Sequence, residues 1–291
     1  MKILVALDGS DAAFNALRST CYLAAKMGAY VTAFYVNKGE AYSSEDTAWT
    51  SIKDRLDREL EMFGKETIRK AYEIGRETGV PLEGIISEGI PSEEILDYTC
   101  SHGIIKLIAM GHSSKGRGAQ EFVSSTTKDV VARAGIPVFV TSSQINIRRI
   151  LLAVDDSVVS QKATKFCGSL TQGLGSELSV ISIIPDAEEE LNQYTRIAEV
   201  PNIDRYIEAS ERQLAAIVER TLSSTKEILS SLGVSAYEIR KKGRMSDEII
   251  SEAKNYDLLV IGINKAPSPN KLGPAIHKLL DYHALNLILV Q

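Results

Sequence analysis

Near the amino terminus the chain reads Ile3-Leu-Val-Ala-Leu-Asp-Gly-Ser10, and the pattern returns as Ile150-Leu-Leu-Ala-Val-Asp-Asp-Ser157. Three further echoes follow in the same order. Gly89-Ile-Pro-Ser-Glu-Glu-Ile95 returns as Gly243-Arg-Met-Ser-Asp-Glu-Ile249, Leu107-Ile-Ala-Met-Gly111 as Leu258-Leu-Val-Ile-Gly262, and Pro137-Val-Phe-Val140 as Leu287-Ile-Leu-Val290. All four lie between 147 and 154 residues apart. Solenoid and propeller units repeat every ~20–50 residues, so a period this long marks a duplicated domain. The 291 residues suit two domains of ~100–200 residues each. The polar connector around Ser142–Ile147 sets the expected boundaries, residues 1–143 and 147–291.

Within each copy, apolar runs alternate with stretches whose apolar residues recur every three or four positions. The first copy predicts strands at 2–7, 30–36, 82–87, 106–110 and 137–141, with helices at 12–27, 49–78, 92–101 and 126–134. The second predicts strands at 149–154, 177–184, 236–241, 257–261 and 286–290, with helices at 160–174, 203–232, 246–255 and 275–283. The strands read as continuous apolar runs rather than alternating ones, as in a sheet covered by helices on both faces. Strand–helix alternation calls for parallel strands and right-handed crossovers. The expected fold is α/β: two doubly wound, five-stranded, Rossmann-like parallel sheets in tandem.

Composition narrows the function classes. A net charge of −5 argues against a nucleic-acid binder, which carries a clustered basic excess. Cys21, Cys100 and Cys167 are isolated, with no C-x-x-C, so they predict buried free thiols rather than a zinc site or disulfide framework. No apolar stretch approaches the ~20 residues of a membrane helix, and no signal-peptide pattern precedes Asp8. The expected location is the cytoplasm.

In a doubly wound sheet, ligands sit beyond the carboxyl ends of the strands, where the strand order reverses. In the first copy Asp8 closes the first strand and Val36 the second. Met110-Gly-His-Ser-Ser-Lys-Gly-Arg-Gly118 follows the fourth, and Ser124-Ser-Thr-Thr127 opens the last helix. A carboxylate there accepts hydrogen bonds from ribose hydroxyls or a base amine. Gly111, Gly116 and Gly118 allow close backbone approach. A helix start offers free N–H groups and a dipole to phosphate, and Lys115 and Arg117 could neutralise further charge. Each residue also has a plainer reading. Asp8 could be a cap or turn former, and Val36 a core residue. Thr126-x-x-Asp129 fits a capping box. Lys115 and Arg117 read singly as solvated charges, and His112 as a loop residue.

The segments Val5-Ala-Leu-Asp-Gly-Ser10, Gly89-Ile-Pro-Ser-Glu-Glu-Ile-Leu96, Ile108-Ala-Met-Gly111 and Ala134-Gly-Ile-Pro-Val138 resemble the universal stress protein family. The resemblance spans nearly the whole chain, as a tandem member of the adenine nucleotide alpha-hydrolase-like class. Family members that bind ATP carry G-x2-G-x9-G-[S/T] after the fourth strand. Here the pattern falls on Gly111, Ser114, Ser124 and Ser125, so two of its three glycines are serines. The resemblance implies that Asp8 and Val36 would hold adenosine, while Met110, Gly111, Ser114, Ser124, Ser125 and Thr126 would line the phosphate path. In the second copy, the spacing places the second glycine at Lys265 and the third at Ala275, with Pro267, Pro269 and Pro274 nearby, so its phosphate cradle reads as lost. The family's last strand commonly pairs across a dimer. Here the two copies could pair with each other as an intramolecular pseudo-dimer, with homodimerisation left open.

Three functions stand at this point. One is a regulatory protein that responds to ATP or another adenine nucleotide in its first copy. A second is an interaction module that binds a protein partner without nucleotide. An enzyme ranks last, because no Walker loop and no metal-ligand spacing accompany the site.

Overall fold

The computed structural model describes residues 1–37, 47–112, 123–186, 203–264, 272–282 and 284–291, with backbone alone at 47–54 and 203–204. The chain divides into two compact units, Met1–Asn146 and Ile147–Lys265 with Leu272–Gln291. Unit 1 runs β1 (Lys2–Leu7), α1 (Asp11–Met27), β2 (Tyr30–Asn37), α2 (Thr47–Thr78), β3 (Leu82–Glu88), α3 (Pro91–Ser101), β4 (Ile105–Gly111), α4 (Ser125–Arg133) and β5 (Val138–Thr141). Unit 2 runs β6 (Arg149–Ala153), α5 (Val158–Leu174), β7 (Glu177–Ile184), α6 (Ile203–Ser231), β8 (Tyr237–Lys242), α7 (Met245–Ala253), β9 (Leu258–Gly262), α8 (Pro274–Leu280) and β10 (Leu287–Val290). Each expected element is present, with ends moved by a few residues.

Strand order in unit 1 is β3-β2-β1-β4-β5, and in unit 2 it is β8-β7-β6-β9-β10. The pairings within each unit are parallel. The order reverses between β1 and β4, and again between β6 and β9, which is where a doubly wound sheet opens a crevice. Consecutive residues Ile3, Leu4 and Val5 are fully buried, as are Ile150, Leu151 and Leu152. Burial on both pleat faces explains the continuous apolar runs of the central strands. The outer strands differ from that expectation. β3 (LEGIISE) and β8 (YEIRKK) alternate between half-buried and exposed. Among the described residues each pairs with a neighbour on one side only, and its charged side chains keep that open edge in water.

The first helix of each unit starts and stops by the same devices. The Ser10 hydroxyl accepts from the Ala13 N–H to cap α1, and the Ser157 hydroxyl accepts from the Ser160 N–H to cap α5. Gly28 and Gly175 end these helices in the left-handed conformation, at φ 60° and 66°. Among the described residues no helix is long and apolar enough to cross a membrane.

The thiols divide differently from expectation, with Cys21 and Cys167 buried and Cys100 exposed. Burial pushes the Cys167 thiol up to about 12, partly opposed by a contact with Thr171. An unfolded thiol titrates near 9.0. Above that pH the unfolded chain ionises while the folded chain does not, so this group's contribution to stability is lost as pH rises. Relative to Cys167→Ala, the wild type is expected to lose about 1 kcal/mol between pH 9 and pH 10. Parallel denaturation curves at the two pH values would show it, and an unchanged difference would place the thiol in contact with solvent.

Candidate functional site

The reversal between β1 and β4 brings the expected first-copy residues to one end of the unit 1 sheet. Pairing sets Leu7 beside Tyr35 and Ala6 beside Met110, so Asp8, just past β1, Val36, one residue before the end of β2 at Asn37, and Gly111, the last residue of β4, lie at the same end of three adjacent strands. Asp8 is exposed, and its Oδ1 accepts the Ser10 N–H at 2.9 Å. It therefore forms the turn into α1 while its second oxygen makes no hydrogen bond among the described residues. Val36 and Met110 are 9% and 4% exposed, so they form a wall rather than a surface. Ser114, Lys115, Gly116, Arg117 and Gly118 lie outside the described residues.

Gly111 has a structural reason of its own. A Cβ there would lie 2.8 Å from the Ala13 nitrogen and 2.9 Å from the Ala12 carbonyl carbon. The first turn of α1 packs directly on the end of β4, and only a glycine admits it. Gly262 repeats the arrangement against Val159 and Ser160, with closest approaches of 3.0 and 3.1 Å. His112 follows Gly111 outside the strand, yet it is fully buried, and its N–H donates to the Thr141 carbonyl.

At the start of α4 the cap is Ser124, not Thr126. The Ser124 hydroxyl accepts the Thr127 N–H at 3.0 Å and lies 2.9 Å from the Thr127 hydroxyl. The capping-box reading of Thr126 and Asp129 is set aside because the helix begins at Ser125. The backbone at Ser124 has φ −61° and ψ 148°, which any residue adopts. Serine in place of the family's glycine therefore brings no backbone strain. The N–H groups of Ser125 and Thr126 form no hydrogen bond among the described residues and stand free at the helix start.

Sequence reading missed the aromatic pair at the tip of β1. The Tyr35 and Phe63 rings lie 6.1 Å apart. Gly9 has φ 81°, and a Cβ on it would lie 2.4 Å from the Phe63 ring. Phe63 thus rests on the residue next to Asp8. Burial, and after it the charge of Asp8, pushes the Tyr35 hydroxyl upward.

Unit 2 is built differently at the same end. Counting back from the helix-ending glycines, Gly79 at φ 68° and Gly233 at φ 70°, sets Ile217 at the place of Phe63. The step between the opening strands sets Ser182 at the place of Tyr35 and Asp156 at that of Gly9. A cavity of about 430 Å³ here reaches Asp155, Ile183, Gly262 and Gly273. Gly273 caps α8 with φ −65° and ψ 154°, the conformation of Ser124 in unit 1. The third glycine position is therefore Gly273, not Ala275, because the loop after β9 is shorter than that after β4 and fixed spacing overshoots. Lys265, Pro267, Pro269 and Lys271 lie outside the described residues. Among those that are described, no three His, Cys, Asp or Glu side chains gather as a metal site requires.

The model of the universal stress protein family matches residues 1–142 and again 146–282. The chain belongs to the universal stress protein family. Among curated proteins, a universal stress protein of Methanocaldococcus jannaschii is 28% identical over 141 residues, covering 48% of this chain and 80% of that protein. YxiE of Bacillus subtilis, also a universal stress protein, is 27% identical over 146 residues, covering 48% of this chain and 97% of its own length. Each of these relatives corresponds to about half of this tandem member. Among solved structures, a universal stress protein from Archaeoglobus fulgidus superposes with a TM-score of 0.73, at 16% identity over 99% of this chain and 97% of that one. That likeness supports the α/β fold of the tandem universal stress protein over its whole length.

Proposed function

We propose that this chain is a regulatory universal stress protein, without catalytic chemistry of its own, that binds ATP or a related adenine nucleotide through unit 1. One observation carries the reading. Asp8 keeps one carboxylate oxygen without a hydrogen bond among the described residues, at the reversal point where β1, β2 and β4 end and after which α4 starts, and this supports a shared site with the buried Val36 and Met110. The carboxylate suits ribose hydroxyls or a base amine, and the helix start suits phosphate. Gly111 holds the first turn of α1 in place beside them. Ser114 and Ser124 occupy two glycine positions of the family's ATP loop, and at Ser124 the backbone fits serine.

Calorimetric titration with ATP tests the proposal. Asp8→Ala is expected to weaken binding about tenfold, the size of one lost hydrogen bond to a charged group. Absence of heat from the wild type at millimolar ATP would sink it. A second reading, an interaction module that uses no nucleotide, draws on the Phe63 ring resting on Gly9. It is favoured if neither the wild type nor Phe63→Ala takes up ATP.

A further inference from the structure

We infer that the cavity in unit 2 is a separate binding site, whose ligand is a compact apolar molecule carrying a cationic, hydrogen-bond-donating head. At about 430 Å³ its volume falls within the ~300–1,000 Å³ range of small-molecule sites. The wall is aliphatic, with Ile181, Ile183, Ile217, Val218, Ile249 and Ile276 among its members, and neither an aromatic ring nor a cationic side chain belongs to the described lining. An apolar body is what such a wall would hold.

The head follows from the mouth. Asp155 and Asp156 stand there, both exposed. Asp155 Oδ1 accepts from the Ser157 N–H and hydroxyl, and Asp156 makes no hydrogen bond among the described residues. A polar recess of about 320 Å³ shares both aspartates, Ile217 and Thr221, and Arg220 is the one cation among its described lining residues. Among the described residues two carboxylates stand against one guanidinium, a local excess of negative charge that favours a cation. The helix start is also poorer for anions than in unit 1. Pro274 opens α8 with no N–H, where Ser125 opens α4 with one. Asp156 stands where unit 1 has Gly9. The two units thus present opposite preferences at equivalent places, and the unit 2 site does not depend on whether unit 1 takes a nucleotide.

The test uses three probes with one rigid body: adamantan-1-ylmethylammonium, adamantane-1-methanol and adamantane-1-carboxylate, each titrated calorimetrically into the full chain. The ammonium is expected to bind tightest, and the carboxylate at least tenfold more weakly. Asp155→Asn with Asp156→Asn, two exposed and nearly isosteric changes, should bring the three probes to similar affinities. Ile217→Trp, checked for folding by circular dichroism, should abolish binding of all three by filling the cavity. Asp8→Ala should leave ammonium binding unchanged, so failure here and failure of nucleotide binding are told apart. No binding of any probe at millimolar concentration would overturn the inference. So would carboxylate binding as tight as ammonium in the wild type, or undiminished binding in a folded Ile217→Trp.

Discussion

Gly111→Ala is expected to lose about 3 kcal/mol of stability, the upper part of the range for a methyl forced into a packed interior. The added Cβ would meet backbone atoms of Ala12 and Ala13 at 2.8 to 3.1 Å. No rotamer change relieves a clash with backbone, so α1 must move off β4 or the strand end must bend. The effect should be smaller at Gly262, where the nearest approach is 3.0 Å, and close to zero at Gly135, where a Cβ meets nothing within 4 Å. Urea denaturation of the three variants, read with the slope held constant, gives the ranking directly. A Gly111→Ala protein as stable as Gly135→Ala would mean that α1 does not pack on β4 as described. It would also return Gly111 to the ligand-facing role that its place in the family's loop first suggests.

The fold was legible in the sequence because its signals are local and doubled. Central strands such as Lys2–Leu7 and Glu177–Ile184 declare themselves by unbroken apolar runs, and the first helix of each copy starts at a serine cap. The outer strands were misread because β3 and β8 face water at an open edge, which an apolar count alone does not distinguish. The site was legible only in part. Asp8, Val36, Met110 and Gly111 follow from strand order, since their positions are set by where strands end. Tyr35 and Phe63 did not follow, because contact between a strand end and a long helix depends on how far that helix reaches. The signal lay in comparing the copies. Tyr35 against Ser182, and Phe63 against Ile217, are exchanges of large for small at one place in the fold.

That exchange also explains why glycine spacing alone was a poor guide to the second copy. Spacing presumes loops of equal length, and the segment between Gly262 and Gly273 is shorter than that between Gly111 and Ser124. The backbone geometry at the two caps is the same, so duplication preserved the frame while the side chains around it diverged. One ancestral pocket has become two ends with different linings. One carries the Tyr35 and Phe63 rings on its α2 side, and the other is aliphatic with two aspartates at its edge.

Phe34→Ala is expected to cost about 3–5 kcal/mol, the usual range for deleting a buried aromatic ring. Phe34 lies in the middle of β2, 2% exposed, with its ring 4.9 Å from that of Tyr98 on α3. The loss combines the transfer of the ring to water, the cavity left behind, and a ring–ring contact of about 0.5–1.5 kcal/mol. Phe34→Leu should cost less, because it keeps much of the apolar volume and removes mainly the ring contact. Strand alternation sends Phe34 and Val36 to the same face, toward α3, and Tyr35 to the other, toward Phe63 on α2. Removing Phe34 therefore loosens the wall beneath the proposed nucleotide site without touching Asp8 or the start of α4. Well below the midpoint of unfolding, ATP affinity in Phe34→Leu should stay within about twofold of the wild type while stability falls, which separates the support from the contacts. A thermal shift of only a degree or two for Phe34→Ala would contradict the burial of β2, since each kcal/mol moves the midpoint of a domain this size by about 2–4 °C.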